Sequence, residues 1–139
     1  VDTAQYCLSE VKLGLIPATI SPYVIRAMGT RAAQRYFVTA ERFSAMEAHR
    51  VGLVHELAAA DALDAKLDQI TQALIQASPQ AVRAAKRLVQ DVAGQEVTPD
   101  LIASTVEAIA DSRSSAHGKE GVQAFLQKRK PSWLLDAGA

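Results

Sequence analysis

Three times in this chain a hydroxyl-bearing residue stands immediately before a proline, at Ser21-Pro22, Ser78-Pro79 and Thr98-Pro99. Each pair is chemistry for a helix start. The serine or threonine oxygen can accept an orphan N–H of the first turn, while proline brings no N–H to satisfy and a φ already suited to helix. Glycines at 29, 52 and 94 supply stops. This punctuation restricts the chain to a succession of short and medium helices.

The apolar spacing agrees. Leu63, Leu67, Ile70 and Leu74 recur at intervals of four and three, which predicts a helix over 61–77 with one apolar stripe. The helix opened by Pro79 is expected to turn Val82, Ala85, Leu88, Val89 and Val92 inward, leave Arg83, Lys86, Arg87 and Gln90 to solvent, and end at Gly94. Thr98 is the expected N-cap of the next helix, with Leu101, Ile102, Thr105, Val106 and Ile109 on its buried side. A last helix is expected over about 118–130, closed by Pro131.

Residues 1–60 differ in kind. A β-type run over 5–8 leads into Glu10-Val11-Lys12-Leu13-Gly14-Leu15-Ile16-Pro17, where Gly14 and Pro17 imply a specific loop. Ser21-Pro22 should start a helix that Gly29 stops, and Thr30 should cap another to about Thr39. Ser44 to Glu47 reads as a capping box whose helix ends at Gly52, and 53–57 alternates as a short strand should. The fold class is therefore mainly α with a few short strands.

Charge is balanced, 15 Lys+Arg against 15 Asp+Glu, so no basic footprint points to nucleic acid or to an anionic membrane. No apolar run approaches the ~18 residues that span a bilayer. The single cysteine, Cys7, excludes an internal disulfide and fits a reducing compartment, so a cytoplasmic location is expected. The chain begins at Val1 and enters a strand almost at once, so it is expected to be cut from something longer.

His49, His55 and His117 have no partners at metal-ligand spacing, and each reads as a surface or satisfied histidine. Cys7 reads as a buried structural thiol, and no metal site is expected. No phosphate-binding glycine loop or nucleophile elbow is present. A site must then rest on carboxylates and backbone amides. Glu10 stands out, because it follows an apolar strand and enters a loop carrying Leu13, Leu15 and Ile16. Apolar surroundings desolvate a carboxyl and suit it to giving and taking protons. The residues alone leave a second reading open, a solvated strand-end residue on a connector.

Read as blocks, Ser9 to Pro17, the run RYFVTAERFSAMEAHRVGLV, and EGVQAFLQKRKPSW together resemble the C-terminal half of the crotonase, or enoyl-CoA hydratase/isomerase, superfamily. The segment Ala18-Thr19-Ile20-Ser21-Pro22-Tyr23-Val24 is similar to bacterial methylglutaconyl-CoA and isohexenylglutaconyl-CoA hydratases. The resemblance implies the C-terminal part of a ββα spiral fold. Residues 1–60 would end the spiral core and carry the active-site loop, and 61–139 would form a helical trimerisation and lid region.

It also implies chemistry. Glu10 matches the glutamate that protonates the α-carbon, and Ala18 matches the position whose N–H helps hold the catalytic water. Pro17 and Phe125 match substrate-binding positions, Phe125 as an apolar wall, and Lys128 matches a contact to a coenzyme A phosphate. The ligand would be an acyl-CoA, the substrate itself carrying the thioester with no further cofactor, and the assembly a homo-trimer or hexamer. The partner glutamate and the oxyanion-hole amides belong, in the family, to the half preceding the region matched here, so the isolated chain is expected to be inactive. The alternatives are a helical association module without catalysis and a parent enzyme that isomerises. RNA binding, reported for some animal relatives, is not expected at zero net charge.

Overall fold

Phe43 organises the first part of the structure, a computed structural model that describes residues 1–135. It lies on strand β2 (Phe43–Ser44), paired antiparallel with β1 (Gln5–Tyr6) so that Tyr6 faces Phe43. Its ring stacks on Tyr6 at 5.6 Å and tilts against Tyr36 at 4.1 Å. Tyr36 comes from helix α1 (Ser21–Thr39), and the short helix α2 (Ala45–Arg50) completes the layer. Met28, Ala33, Tyr36, Phe43 and Ala48 form the core, with Leu8, Val24, Val51, Leu53 and Val54 packed around it. Alanines at 33, 40, 45 and 48 are fully enclosed, and their small side chains allow the backbones to approach closely.

Helix α1 is two helical segments around a break at Gly29, whose φ of 77° and ψ of 159° no helix contains. The stop expected there is present. Ser21 departs from expectation, because Ile20 occupies the cap and Ser21 is the first helical residue, its hydroxyl donating to the Ala18 carbonyl at 2.8 Å. Proline is tolerated at any first-turn position whose N–H is unpaired, so the dipeptide does not fix the cap to its own serine. Ser44 does cap α2, accepting the Glu47 N–H at 3.2 Å.

The reciprocal arm of the expected capping box is absent. Glu47 instead accepts from the Tyr36 hydroxyl at 2.9 Å and from two Arg50 nitrogens at 2.6 Å. The Arg50 guanidinium, then the Tyr36 hydroxyl, hold the Glu47 carboxyl down at about 2. Burial, then the bond to Glu47, pushes the Tyr36 phenol up. The strand expected over 53–57 does not form. The Leu53 and Val54 N–H groups both donate to the Ala48 carbonyl, at 2.8 and 3.3 Å, which commits them to closing α2. Gly52, at φ 82°, makes this turn possible, and a Cβ there would lie 3.0 Å from the Ala27 carbonyl oxygen.

The residues fall into two units, Val1–Leu67 and Asp68–Ala139, and the division lies within helix α3 (Leu63–Gln76). The second unit holds α4 (Pro79–Val92), α5 (Pro99–Ser114) and α6 (Ala116–Leu126). Ser78 and Thr98 cap their helices as expected, accepting the Ala81 and Leu101 N–H groups at 3.2 Å. The start of α6 lies at Ala116, earlier than the expected 118, because Ser115 caps it through the Gly118 N–H at 3.0 Å. Gly118 is needed for close approach to α5, since a Cβ there would lie 2.0 Å from the Ser112 carbonyl oxygen.

The end of α6 also differs, at Leu126 rather than near 130. Lys128 adopts a left-handed conformation, φ 53°, and the Arg129 N–H reaches back to the Ala124 carbonyl at 3.0 Å. Glu120 secures this reversal. Its carboxylate accepts from Arg129 at 2.6 and 2.9 Å and from the Ser132 N–H at 2.8 Å. The guanidinium, then that N–H, hold the Glu120 carboxyl at about 2. Glu120 thus closes the helix from inside it.

The apolar stripes are where they were expected, but they are not buried. Leu67 of α3 is 60% exposed, Val89 of α4 67% and Ile109 of α5 65%, and Leu63, Ile70, Leu74, Leu88, Ile102 and Val106 are exposed as well. Periodicity reports that a face is built to be covered and carries no information on what covers it. Among the described residues no helix is long and apolar enough to cross a membrane.

Two measurements check this description. Glu47 and Glu120 are more acidic in the folded protein, about 2, than the ordinary 4.5. A carboxyl of this kind contributes stability that is present above pH 4.5 and lost as pH falls through its folded value. Acid unfolding of Glu47→Gln, followed by circular dichroism, should therefore depend less steeply on pH between 4.5 and 2 than the parent, and equal slopes would contradict the assignment. Lys128→Gly should raise thermal stability by about 0.5–1 kcal/mol, because glycine occupies the left-handed region without a Cβ penalty. A lowered melting temperature would contradict that conformation.

Candidate active site

Glu10 opens a single 3-10 turn, Glu10–Leu13, that packs against α1. Gly14 ends the turn at φ 72°, and its N–H donates to the Val11 carbonyl at 3.2 Å. The Leu15 N–H then donates to the Glu10 carbonyl at 3.1 Å, so the backbone of Glu10 is fixed from the far side of the turn. Its carboxyl is partly enclosed, and Oε2 is buried with no hydrogen-bond partner among the described residues. The loop that follows is apolar and outward: Leu13, Leu15 and Ile16 are 76%, 60% and 73% exposed. Pro17, by contrast, is buried and anchors it.

An enclosed carboxyl oxygen at the head of a loop of exposed aliphatic side chains suits one kind of chemistry. An apolar ligand covering Leu13, Leu15 and Ile16 would exclude water, and a carboxyl in that setting can deliver or remove a proton at carbon. Ala18 contributes a different feature. Its N–H donates to the Ile16 carbonyl at 2.8 Å, and its own carbonyl accepts the Ser21 hydroxyl and N–H at 2.8 and 3.3 Å. That N–H is engaged within the loop, so a water held there would share it.

Phe125 and Lys128 lie in the second unit. Phe125, on α6, is 82% exposed. Lys128 is exposed too, but it stands beyond the helix at φ 53°, not within the helix expected to run to about 130. The reversal held by Glu120 and Arg129 sets the direction of Lys128 in place of helical spacing.

One side-chain grouping was not foreseen. Ser78 Oγ and His117 Nδ1 share a hydrogen bond at 2.9 Å, and the His117 ring stacks on Trp133 at 5.4 Å and 5°. The Trp133 Nε1–H donates to the Gln76 carbonyl at 3.4 Å, so Trp133 docks the chain end onto the close of α3. These residues border a cavity of about 480 Å³ between α4, α5 and α6. Gly121 leaves room for the indole, since a Cβ there would meet Trp133 at 3.1 Å. His117 is thus a satisfied structural histidine, while His49 and His55 are exposed. The Cys7 thiol is half-buried and donates to the Ala40 carbonyl at 3.3 Å. Among the described residues no group of three or more His, Cys, Asp or Glu side chains is placed to hold a metal ion.

The family model for enoyl-CoA hydratase/isomerase matches residues 1–135. A solved enoyl-CoA hydratase from Shewanella pealeana is 47% identical with a TM-score of 0.87, over 94% of this chain and 48% of that one. A solved enoyl-CoA hydratase/isomerase from Marinobacter aquaeolei is 34% identical with a TM-score of 0.88, over 96% of this chain and 50% of that one. The mouse mitochondrial enoyl-CoA hydratase domain-containing protein 3 is 30% identical over 95% of this chain and 44% of its own length. The chain thus spans about half the length of these relatives. The fold, with its broken α1, its Glu10 turn and its helical second unit, is that of the crotonases, and the chain belongs to the enoyl-CoA hydratase/isomerase family.

Proposed function

We propose that the protein of which these residues form the Glu10-bearing part hydrates α,β-unsaturated acyl-CoA thioesters. The observation that carries this reading is the enclosed Oε2 of Glu10, without a partner among the described residues, at the head of the loop that carries the exposed Leu13, Leu15 and Ile16. In the reaction, water gives one proton to the water-activating carboxylate that the family resemblance places outside these residues as its oxygen bonds the β-carbon, the electron pair of the double bond moves toward the thioester as an enolate, and the Glu10 carboxyl gives its proton to the α-carbon. The acyl chain covers the apolar loop over Pro17. The Ala18 N–H shares its hydrogen bond with the attacking water. By the family resemblance, Phe125 serves as an apolar wall and the Lys128 ammonium as a contact to a coenzyme A phosphate. The similarity of 18–24 to methylglutaconyl-CoA hydratases supports 3-methylglutaconyl-CoA as the substrate, and the reaction needs no cofactor beyond the thioester.

The exposed stripes of α3 to α5 support a homo-trimer or hexamer, and the lone thiol supports a cytoplasmic setting. By the family resemblance the water-activating carboxylate and the oxyanion-hole amides have no counterpart in these 139 residues, so this chain alone does not turn over. Groups that act as a unit fail together. One observation favours a second reading, isomerisation: the Ala18 N–H already has an acceptor in Ile16, and a carboxyl that shuttles a proton between α- and γ-carbons needs no water.

The test is hydration of crotonyl-CoA and 3-methylglutaconyl-CoA by the intact protein, read as loss of enoyl absorbance. Glu10→Gln should lower kcat by about 10²- to 10⁴-fold with little change in KM. Retained turnover would remove Glu10 from the mechanism. Conversion of 3-enoyl-CoA to 2-enoyl-CoA without hydration would select the isomerase. Turnover by the 139-residue chain, free of host enzyme, would overturn its inactivity.

A further inference from the structure

We propose that Gly14 is a positioning residue for the Glu10 carboxyl, acting through its left-handed backbone alone. The inference rests on the reading of Glu10 as the proton donor and adds to it a residue that touches neither substrate nor carboxylate.

Backbone bonds close the turn, from the Gly14 N–H to the Val11 and Glu10 carbonyls and from the Leu15 N–H to the Glu10 carbonyl. The Leu15 bond forms because the chain reverses at Gly14, at φ 72° and ψ 17°. No side chain of Ser9 caps the turn at its other end, so the closing side carries the geometry. Meanwhile Glu10 holds Oε2 buried without a partner among the described residues, an arrangement that persists only where the backbone leaves the side chain little choice. If the turn opened, the carboxyl would relax toward solvent.

Among the described residues nothing gives Gly14 a steric reason to be glycine, since a Cβ built there meets none of their atoms within 4 Å. Gly118 and Gly121 differ in this respect, since a Cβ at either meets neighbouring atoms. What Gly14 supplies is therefore only conformational freedom at positive φ. An alanine would fit the space but strain the backbone, while asparagine enters the left-handed region more readily than other residues with a side chain. The two substitutions separate shape from conformation.

The experiment compares Gly14→Ala and Gly14→Asn in the intact protein. Two readouts are taken: kcat and KM for enoyl-CoA hydration, and hydrogen exchange of the Leu15 amide followed by mass spectrometry. Gly14→Ala should accelerate Leu15 exchange and lower kcat by about 5- to 30-fold with KM nearly unchanged, the factor that a left-handed penalty imposes on a closed turn. Gly14→Asn should restore most of both. Unchanged exchange and kcat in Gly14→Ala would overturn the proposal, as would equal loss in both variants. If the parent hydrates no enoyl-CoA, yet Gly14→Ala frees the Leu15 amide and Gly14→Asn restores it, the turn-closing role stands and the hydratase reading fails. A Gly14→Ala protein that unfolds entirely while Gly14→Asn folds assigns Gly14 to global stability and also overturns the proposal.

Discussion

A carboxyl oxygen enclosed without a hydrogen-bond partner costs free energy, and the structure around Glu10 is arranged to keep one. Four consecutive residues, Glu10–Leu13, are wound into one tight turn and pinned by Leu15 from beyond it. That turn rests on α1, and α1 rests on the aromatic layer of Tyr6, Tyr36 and Phe43. The chain of support runs from core to site: the stacked rings fix α1, α1 backs the turn, and the turn holds the acid. Leu13, Leu15 and Ile16, on and just after this turn, are exposed.

The second unit applies a different principle. Its helices meet through small residues and polar clasps rather than large buried side chains: Gly118 against the Ser112 carbonyl, Ser78 on His117, Glu120 on Arg129 and Ser132. These contacts fix where α6 stops and how Lys128 is presented. They leave the leucine, isoleucine and valine stripes of α3, α4 and α5 exposed.

What was legible in the sequence was local. The caps at Ser44, Ser78 and Thr98 and the break at Gly29 each depend on atoms within a few residues, so residue type sufficed. The loop after Glu10 was legible for the same reason, since Gly14 and Pro17 mark a specific turn and Gly14 does end it at φ 72°. What failed was non-local or competed for. The end of α6 depends on Glu120 reaching Arg129 nine residues away. The strand over 53–57 lost its N–H groups to Ala48. The Ser78–His117 pair joins residues 39 apart, and no spacing rule marks it. Ala18 shows a subtler limit: its position could be matched to a family role, but the engagement of its N–H by Ile16 is visible only in coordinates.

The most direct check on this description of Glu10 is a crystal structure of the intact protein with a 3-hydroxyacyl-CoA bound. Glu10 Oε2 should lie about 3–3.5 Å from the α-carbon, the separation of reacting atoms in a productive complex, with the acyl chain lying across Leu13, Leu15 and Ile16. A thioester bound elsewhere, with Glu10 turned to solvent and the loop uncovered, would contradict the assignment of this carboxyl as the proton donor.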